Sequence, residues 1–310
     1  MTSAPNDTTW QPTRPIELVV GTPPGGGQDR PARALSSVLE ANDLIGQPLS
    51  VINLPGQGGA KAWDYLREHS GDANVLAVNS PTIISNKLLG VSPRDFDDLT
   101  PLCNLYTEFP IFIVAADSPI TDLAALEARL QSPATLPISL ATAKGNPNHI
   151  ALARLTSHAG GDVTELNIEV FDSARYAIAH VIDGKAELGV ITAVSALPEL
   201  QAGTLRTITT SAPTRLGGVF ADVPTLIESG IDCDAGMWRG IIAPPGISAP
   251  AISYWNKVLS AATATNRWQA VLAQKYWANT YVDGAEERAF LDRERAVMTE
   301  ALGDLGLLPA

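Results

Sequence analysis

Short hydrophobic runs alternate with amphipathic segments in the first third of the chain. Residues 16–20, 49–52 and 75–78 have the length and composition of buried strands. Each run is followed by a polar or glycine-rich loop, and the first two loops lead into apolar residues at helical spacing. Repeated strand–loop–helix units favour parallel strands, so we predict an α/β fold.

The pattern changes near the middle of the chain. Two β-rich runs, residues 102–106 and 110–116, are separated only by Thr107, Glu108 and Phe109. A direct passage from strand to strand suits a crossing between domains better than another parallel unit. A second α/β series follows, with predicted helices at residues 122–130, 148–159 and 174–182 and predicted strands at 138–141, 166–170, 188–191 and 205–210.

The C-terminal part begins with a strand and ends in helices. Residues 237–243 are predicted to form a strand that leads into a proline-rich turn. Two amphipathic helices are predicted after it, and the last, residues 286–302, is expected to bury Phe290, Val297, Ala301 and Leu302 on one side. At roughly 150 residues per domain, a chain of 310 residues favours two domains.

Composition excludes several classes of protein. The formal net charge of −12 repels phosphate backbones, so nucleic-acid binding is not expected. Two cysteines, Cys103 and Cys233, cannot build a disulfide framework, which leaves open two buried thiols or one disulfide. No apolar stretch is long enough to insert into a membrane. Residues 1–13 are predicted to form an extended leader without the features of a signal peptide, so the compartment stays open.

The glycine-rich loop at residues 25–27 is the strongest local candidate for ligand binding. It stands between a strand and a helix, where backbone N–H groups and the helix dipole favour an anion. Glycines that merely form a tight turn explain the loop equally well. A dinucleotide fingerprint would need a small residue in place of Arg30 and an acid in place of Asn53. A Gly-Lys-Ser/Thr ending is also absent, so we expect no cofactor.

The sequence shows no catalytic or metal-binding constellation. The four histidines have no metalloprotease spacing, and no GxSxG motif occurs. His149 opens a predicted helix, where a capping or packing role is favoured over contact with a ligand. We therefore predict that the protein is not an enzyme and binds no metal.

Small polar loops follow the predicted strands in both halves of the chain. They comprise residues 23–28, 55–60 and 79–82 in the first half and 142–146, 171–173 and 192–193 in the second. The C-terminal ends of parallel strands share one edge of a sheet. Two such edges facing each other would form a cleft rich in N–H donors, which can hold an anion without a costly unpaired lysine.

Several segments of the chain, in order, resemble one known family. They are RPIELVVGTPPGGGQDRPAR, VINLPGQGGAKA, DLTPLCNL, NPNHIAL, VIDGKAELG, LPELQAGTLRTITTSAPTR, DVPTLIESGI and MWRGIIAPPGISAP. From about Arg14 onwards the chain resembles the extracytoplasmic solute receptors of tripartite tricarboxylate transporters, the Bug receptors. The resemblance implies a two-lobed periplasmic-binding-protein fold of type II that closes on a small organic acid held between the lobes.

The resemblance also implies domain boundaries and binding residues. Residues 14–106 and 225–310 would form lobe 1, and residues 107–224 would form lobe 2. The ligand carboxylate would lie between the loop after the first strand and a loop of the second lobe. The matching positions are Pro24, Gly25, Gly26, Gly27, Gln28, Thr142, Ala143, Lys144, Gly145 and Asn146, with Ser80, Thr82, Phe171, Asp172, Ser173 and Thr192 as further cleft residues.

The chain departs from the family pattern in the second lobe. Ala143 stands where the family has glycine, which restricts the backbone to ordinary φ values, and Lys144 adds a charge. Asp172 stands where the family often has lysine. That exchange suggests a ligand amine or hydroxyl in place of a second carboxylate. A solvent-facing Asp172, or one that caps the following helix, is the alternative.

Three functions remain open at this point. The resemblance favours a monomeric periplasmic receptor that delivers an organic acid to membrane permease subunits. A second possibility is a ligand-responsive regulator whose closed form binds a sensor protein. A third is an intracellular enzyme on the same scaffold, because a fold does not determine function. Neighbouring genes for a permease or a sensor kinase would separate the first two, and turnover of the bound acid would support the third.

Overall fold

Strands and helices alternate along the chain, and a computed structural model describes residues 10–309. The strands are β1 (Ile16–Val20), β2 (Leu49–Asn53), β3 (Val75–Asn79), β4 (Thr100–Glu108), β5 (Pro110–Ala115), β6 (Ile138–Ala141), β7 (Ile168–Phe171), β8 (Leu188–Thr192), β9 (Leu205–Thr210), β10 (Met237–Ala243) and β11 (Val282–Asp283). The helices are α1 (Asp29–Ala41), α2 (Ala60–Glu68), α3 (Thr82–Leu88), α4 (Leu123–Leu130), α5 (Pro147–His158), α6 (Ala174–Ile182), α7 (Leu197–Gln201), α8 (Ala249–Thr263), α9 (Asn266–Lys275) and α10 (Gly284–Asp304). Of the predicted leader, residues 1–9 lie outside the described residues, and Trp10 packs edge-on against Tyr254 of α8.

The first sheet has the order β11-β4-β10-β3-β1-β2. Its strand β1 pairs in parallel with β2 and β3, whereas β10 runs antiparallel between β3 and β4. Successive residues of β1 enter different cores, since Leu18 packs with Trp255 and Trp268, and Val19 packs with Trp63. Helices therefore cover both faces of this sheet, as the continuous apolar run of β1 predicts. We refer to the first sheet with its helices as lobe 1.

The second sheet has the order β7-β6-β8-β5-β9. Its strand β6 pairs in parallel with β7 and β8, and β5 runs antiparallel to β8 and β9. Leu126 and Leu152, from α4 and α5, pack in one of its cores, and Ile178 and Val181 of α6 pack in the other. We refer to this sheet with its helices as lobe 2. Two separate α/β sheets confirm the predicted fold class.

The chain crosses between the two sheets twice. Strand β4 ends at Glu108 in the first sheet, and β5 begins at Pro110 in the second. On the way back, Thr225 bridges to Thr210, and Leu226 and Ile231 pack in a core of the second sheet. The chain rejoins the first sheet only at Met237. Packing against the second sheet thus continues to Cys233, and the chain returns to the first sheet through residues 234–236.

The C-terminal region differs from the prediction in two respects. Three helices follow β10 where two were predicted, because Thr265 caps α9 by accepting a hydrogen bond from the Trp268 amide. The buried side of α10 was also predicted in part wrongly, since Val297 is 61% exposed and the side chains that pack inwards include Leu291 and Met298. The short helix α7 was not predicted.

The two cysteines are free thiols buried in different cores. Cys103 lies in lobe 1 and Cys233 in lobe 2. The open question from the sequence is thereby answered in favour of two thiols. Burial raises the pKa of both side chains, which keeps them in the unreactive thiol form.

Candidate functional site

A cavity of about 400 Å³ lies between the two lobes. We call its lobe 1 side the first wall, formed by Thr22, Pro23, Pro24, Gly25, Gly26, Gly27, Gln28, Arg30, Ser80, Thr82, Met237 and Arg239. We call its lobe 2 side the second wall, formed by Ala141, Thr142, Asn148, Asp172, Ser173, Ala174, Arg175, Tyr176, Ile178, Thr192, Ser195 and Glu199. The loops after β1, β3, β6, β7 and β8 contribute to it, as expected for the C-terminal edges of parallel strands.

The glycine loop of the first wall has backbone amides without a hydrogen-bond acceptor at the start of α1. Gly25 has a φ of +78°, which favours glycine, and its amide donates to Asp29 Oδ2 at 2.8 Å. The Gly26 amide donates to the Pro23 carbonyl at 2.9 Å. The amides of Gly27 and Gln28 have no such acceptor among the described residues. They stand at the positive end of the α1 dipole, where an anion is stabilised.

The carboxylate of Asp29 stabilises this loop through hydrogen bonds. Its carboxylate accepts hydrogen bonds from Arg33 Nε and Asn53 Nδ2, both at 2.9 Å, in addition to the one from Gly25. Burial by itself would raise the pKa of Asp29, but these hydrogen bonds outweigh it and hold the pKa below its ordinary value. Asn53 therefore helps to hold the loop in place. In the sequence analysis it was noted only because a dinucleotide fingerprint would need an acid at this position.

Gln28 connects the loop to the next strand. Its Oε1 accepts from the Gly21 amide at 2.7 Å, and its Nε2 donates to Ser80 Oγ at 3.1 Å. Ser80 in turn shares a hydrogen bond of 2.8 Å with Thr82 Oγ1. Because both ends of the Gln28 amide are occupied, its side chain holds the wall together and leaves ligand contact to its backbone.

Arg239 places a buried guanidinium group on the first wall. It is 6% exposed, and its Nη2 donates to Oε1 of Glu108, itself 2% exposed, at 2.8 Å. Its Nε donates to the Gly27 carbonyl at 3.3 Å. A Cβ atom on residue 27 would lie 2.9 Å from Nη2, so a larger residue there would force the guanidinium group to shift. Arg239 was not predicted as a site residue, because it lies on β10, far from the loop along the chain.

The second wall begins where β6 and β7 end. The Thr142 amide donates to the Phe171 carbonyl at 2.7 Å, and Thr142 has a φ of +82°, a strained value for a β-branched residue. Helix α6 then starts at Ala174, and its N-cap residue Ser173 makes no side-chain capping hydrogen bond. The first turn of α6, which carries Arg175, is therefore open to an anionic group.

A hydrogen bond across the cavity joins the first wall to the second. Arg30 Nη1, on α1 of lobe 1, donates to Ser195 Oγ of lobe 2 at 2.9 Å. Ser195 also shares a hydrogen bond of 3.2 Å with Thr192. This polar bridge therefore joins the lobes on one side of the cavity.

Most of the predicted binding residues do line this cavity. They are Pro24, Gly25, Gly26, Gly27, Gln28, Ser80, Thr82, Thr142, Asp172, Ser173 and Thr192. Sequence reasoning missed Arg30, Arg175, Glu199 and Arg239. Arg30, Arg175 and Glu199 lie on helices that follow the loops considered, and Arg239 lies on β10.

The remaining predicted residues do not line the cavity. They are Ala143, Lys144, Gly145, Asn146 and Phe171. The Ala143 amide bonds back to Ala141, and Asn146 caps α5 by accepting from the His149 amide. The Gly145 amide donates to His149 Nδ1 at 2.9 Å, and Phe171 packs on His180. Burial and then the charge of Lys144 lower the pKa of His149 to about 4. His149 is thus a neutral, buried packing residue.

The part of the chain that the structure describes has neither a metal-binding cluster nor a membrane-spanning helix. No group of His, Cys, Asp and Glu side chains there is arranged to hold a metal ion. None of the described helices has both the length and the apolar character needed to cross a membrane.

The fold and cavity define a two-lobed solute receptor, and the comparisons with known proteins give its family. The family model "Tripartite tricarboxylate transporter family receptor" matches residues 32–296, so the chain belongs to this family. A curated relative, the protein BugT of Bordetella pertussis, is 26% identical over 268 residues, covering 84% of this chain and 79% of BugT. These findings confirm the resemblance drawn from the sequence motifs.

Solved structures share the fold across nearly the whole chain. A Rhodopseudomonas palustris protein solved with adipate has a TM-score of 0.86 at 21% identity, covering 96% of this chain and 99% of its own. MatC from the same species, solved with bound malate, has a TM-score of 0.80 at 21% identity, covering 94% and 99%. At this level of identity the likeness establishes the two-lobed fold.

Proposed function

We propose that this receptor captures a small organic carboxylate in the cavity between its lobes and delivers it to the membrane permease of a tripartite tricarboxylate transporter. The supporting observation is the set of donors around the cavity. The Gly27 and Gln28 amides stand at the start of α1, and the uncapped turn of α6 stands opposite. Such helix starts stabilise anions without needing an unpaired buried cation. Two solved relatives hold acids of this class, adipate and malate.

The lobe boundaries follow from the sheets. We propose that residues 10–108 and 237–309 move as lobe 1 and residues 110–233 as lobe 2, with the crossing segments as hinges. This places Thr107 and Glu108 in lobe 1 and residues 225–233 in lobe 2, which moves both boundaries expected from the sequence. Closure of the lobes would bring the second wall onto a ligand already held by the first.

The receptor is proposed to act outside the cytoplasm, as a monomer. A receptor that supplies a permease must meet its ligand before that ligand crosses the membrane, so we place the protein in the periplasm. A monomer suits a protein whose two lobes open and close. We expect the bound acid to be released chemically unchanged, and NMR of recovered ligand would check this.

A thermal-shift screen tests the proposal directly. The protein is stripped of ligand by unfolding and refolding, and is then heated with mono-, di- and tricarboxylates, aromatic acids and amino acids. Ligand at 100 times its Kd adds about 2.7 kcal/mol to the free energy of unfolding, which raises Tm by several degrees. A rise confined to one class of acid is expected. A flat response from folded protein would refute carboxylate capture.

A matched pair of variants locates the binding site. Arg175→Gln removes a charge from the second wall, and Lys185→Gln removes one from the exposed surface of the same lobe. Calorimetry is expected to show about tenfold weaker binding of the acid for Arg175→Gln, since a hydrogen bond to a charged group contributes about 1.5–3 kcal/mol. Lys185→Gln is expected to bind like the parent protein. Equal affinities of both variants would place the site elsewhere.

A further inference from the structure

The second wall carries hydrogen-bond acceptors that a carboxylate cannot satisfy. Asn148 begins α5 after β6, Asp172 follows β7, and Glu199 lies on α7 after β8. Strands β7, β6 and β8 are neighbours in the sheet, with Ala141 beside Phe171 and Leu140 beside Val190. The three residues therefore follow neighbouring strands at one edge of the sheet, and all three line the second wall.

Asn148 is the most informative of the three because it is almost entirely buried. Its exposed fraction is 1%, and its Oδ1 has no hydrogen-bond partner among the described residues. Its Nδ2 lies 3.4 Å from the Ala141 carbonyl and donates to it, which fixes the amide with nitrogen towards Ala141. An unsatisfied buried acceptor costs about 1–3 kcal/mol, so a donor at this position would be strongly favoured.

Glu199 has the same need, and Asp172 adds an exposed carboxylate to the same wall. Neither carboxylate forms an ion pair within the part of the chain that the structure describes, and Glu199 Oε2 is buried without a hydrogen-bond partner. Arg175, on the same wall, offers a donor to an anionic group of a ligand, but a carboxylate placed near Asp172 or Glu199 would be repelled.

We infer that the natural ligand bears an ammonium group in addition to its carboxylate, and that Asn148 Oδ1, Asp172 and Glu199 receive that group on the second wall. This inference rests on the proposed function, which supplies the carboxylate and its place on the first wall. An ammonium group has three donors and no acceptor, which matches three acceptors, whereas a hydroxyl has one donor. The cavity thus selects an amino acid over the corresponding unsubstituted acid.

Matched series of ligands test the inference by calorimetry at pH 7. Each acid that raises Tm in the screen is compared with its hydroxy and amino analogues, starting with succinate, malate and aspartate and with glutarate, 2-hydroxyglutarate and glutamate. We expect the amino member to bind at least about tenfold more tightly than the unsubstituted acid. An unsubstituted or hydroxy acid that binds as tightly as its amino analogue overturns the inference and leaves the proposed function intact. If no acid binds at all, both are refuted.

Variants assign the preference to these side chains. Asp172→Asn and Glu199→Gln each retain the shape of the side chain and remove its charge. We expect each to reduce the preference for the amino member about tenfold, with affinity for the unsubstituted acid equal or higher. Asp183→Asn, at an exposed aspartate of the same lobe, is the control and is expected to leave the preference unchanged. An equal loss of affinity for all three members would show a structural role and refute the assignment.

Discussion

Single residues decide how charge is tolerated beside the ligand cavity. Arg239 and Glu108 are both almost inaccessible to solvent, and they pair where β4 ends and the chain leaves lobe 1. Removing one member of a buried pair costs more than the pair contributes, because the other charge is left without a partner. The pair also fixes the Gly27 carbonyl, so it links the hinge region to the glycine loop.

Arg239→Met tests this dependence. We expect the free energy of unfolding, measured with urea, to fall by about 3–5 kcal/mol, because Glu108 would remain charged and buried. The double variant Glu108→Gln/Arg239→Met is expected to recover much of this loss. A double variant less stable than Arg239→Met would contradict the argument, since it would show that Glu108 contributes independently of its partner.

At the same scale, the sequence identified loops better than it identified side chains. The glycine loop, Ser80, Thr82 and Asp172 could be found because they follow apolar runs directly. Arg239 could not, since its place in the wall depends on β10 inserting between β3 and β4. Asp29 was also missed, because an acid in the first turn of a helix is ordinarily read as a solvated residue.

Among the elements, α10 carries a buried acid that makes stability depend on pH. Glu287 is 2% exposed, and its Oε2 has no hydrogen-bond partner among the described residues. Burial raises the pKa of Glu287 from 4.5 to about 8, with a smaller contribution from the nearby Asp283. The folded protein therefore keeps a proton that the unfolded chain loses at a lower pH.

Glu287→Gln removes this titration. In the parent protein, stability is greatest below the unfolded pKa and falls as pH rises towards 8, on the order of 1 kcal/mol per pH unit. We expect the variant to be less dependent on pH and more stable than the parent by a few kcal/mol at pH 8. Urea unfolding between pH 5 and 9 measures the effect. Glu286→Gln, at the exposed neighbour on α10, is the control, and parallel curves for parent and Glu287→Gln would disprove the assignment.

Element boundaries were predictable where local chemistry determines them. Strands β1, β6 and β9 and helix α6 begin and end where the hydrophobic pattern placed them. The break between α8 and α9 was missed because a single capping residue, Thr265, interrupts an otherwise continuous amphipathic segment. The buried side of α10 was predicted wrongly in part because tertiary packing leaves Val297 exposed to solvent.

For the whole molecule, closure depends on how near the two lobes can approach. The Arg30–Ser195 hydrogen bond joins them on one side of the cavity. On another side, Gly145 of lobe 2 packs against lobe 1, where an added Cβ would overlap the Leu89 side chain and lie 3.6 Å from Ser85 Cβ. The lack of a side chain at Gly145 therefore allows the two lobes to approach each other closely, although Gly145 does not line the cavity.

Gly145→Leu should act as a wedge between the lobes. We expect its affinity for the bound acid to fall about tenfold or more, and small-angle scattering to show a larger radius of gyration at saturating ligand than in the parent. Gly184→Leu is the matched control, since Gly184 also has a positive φ, +69°, in lobe 2 and has open space around its Cβ position. Both variants bear the cost of placing leucine at positive φ, so a comparable loss of Tm is expected in each. If Gly184→Leu weakens binding as much as Gly145→Leu, the loss comes from backbone strain, and contact between the lobes at Gly145 does not control closure.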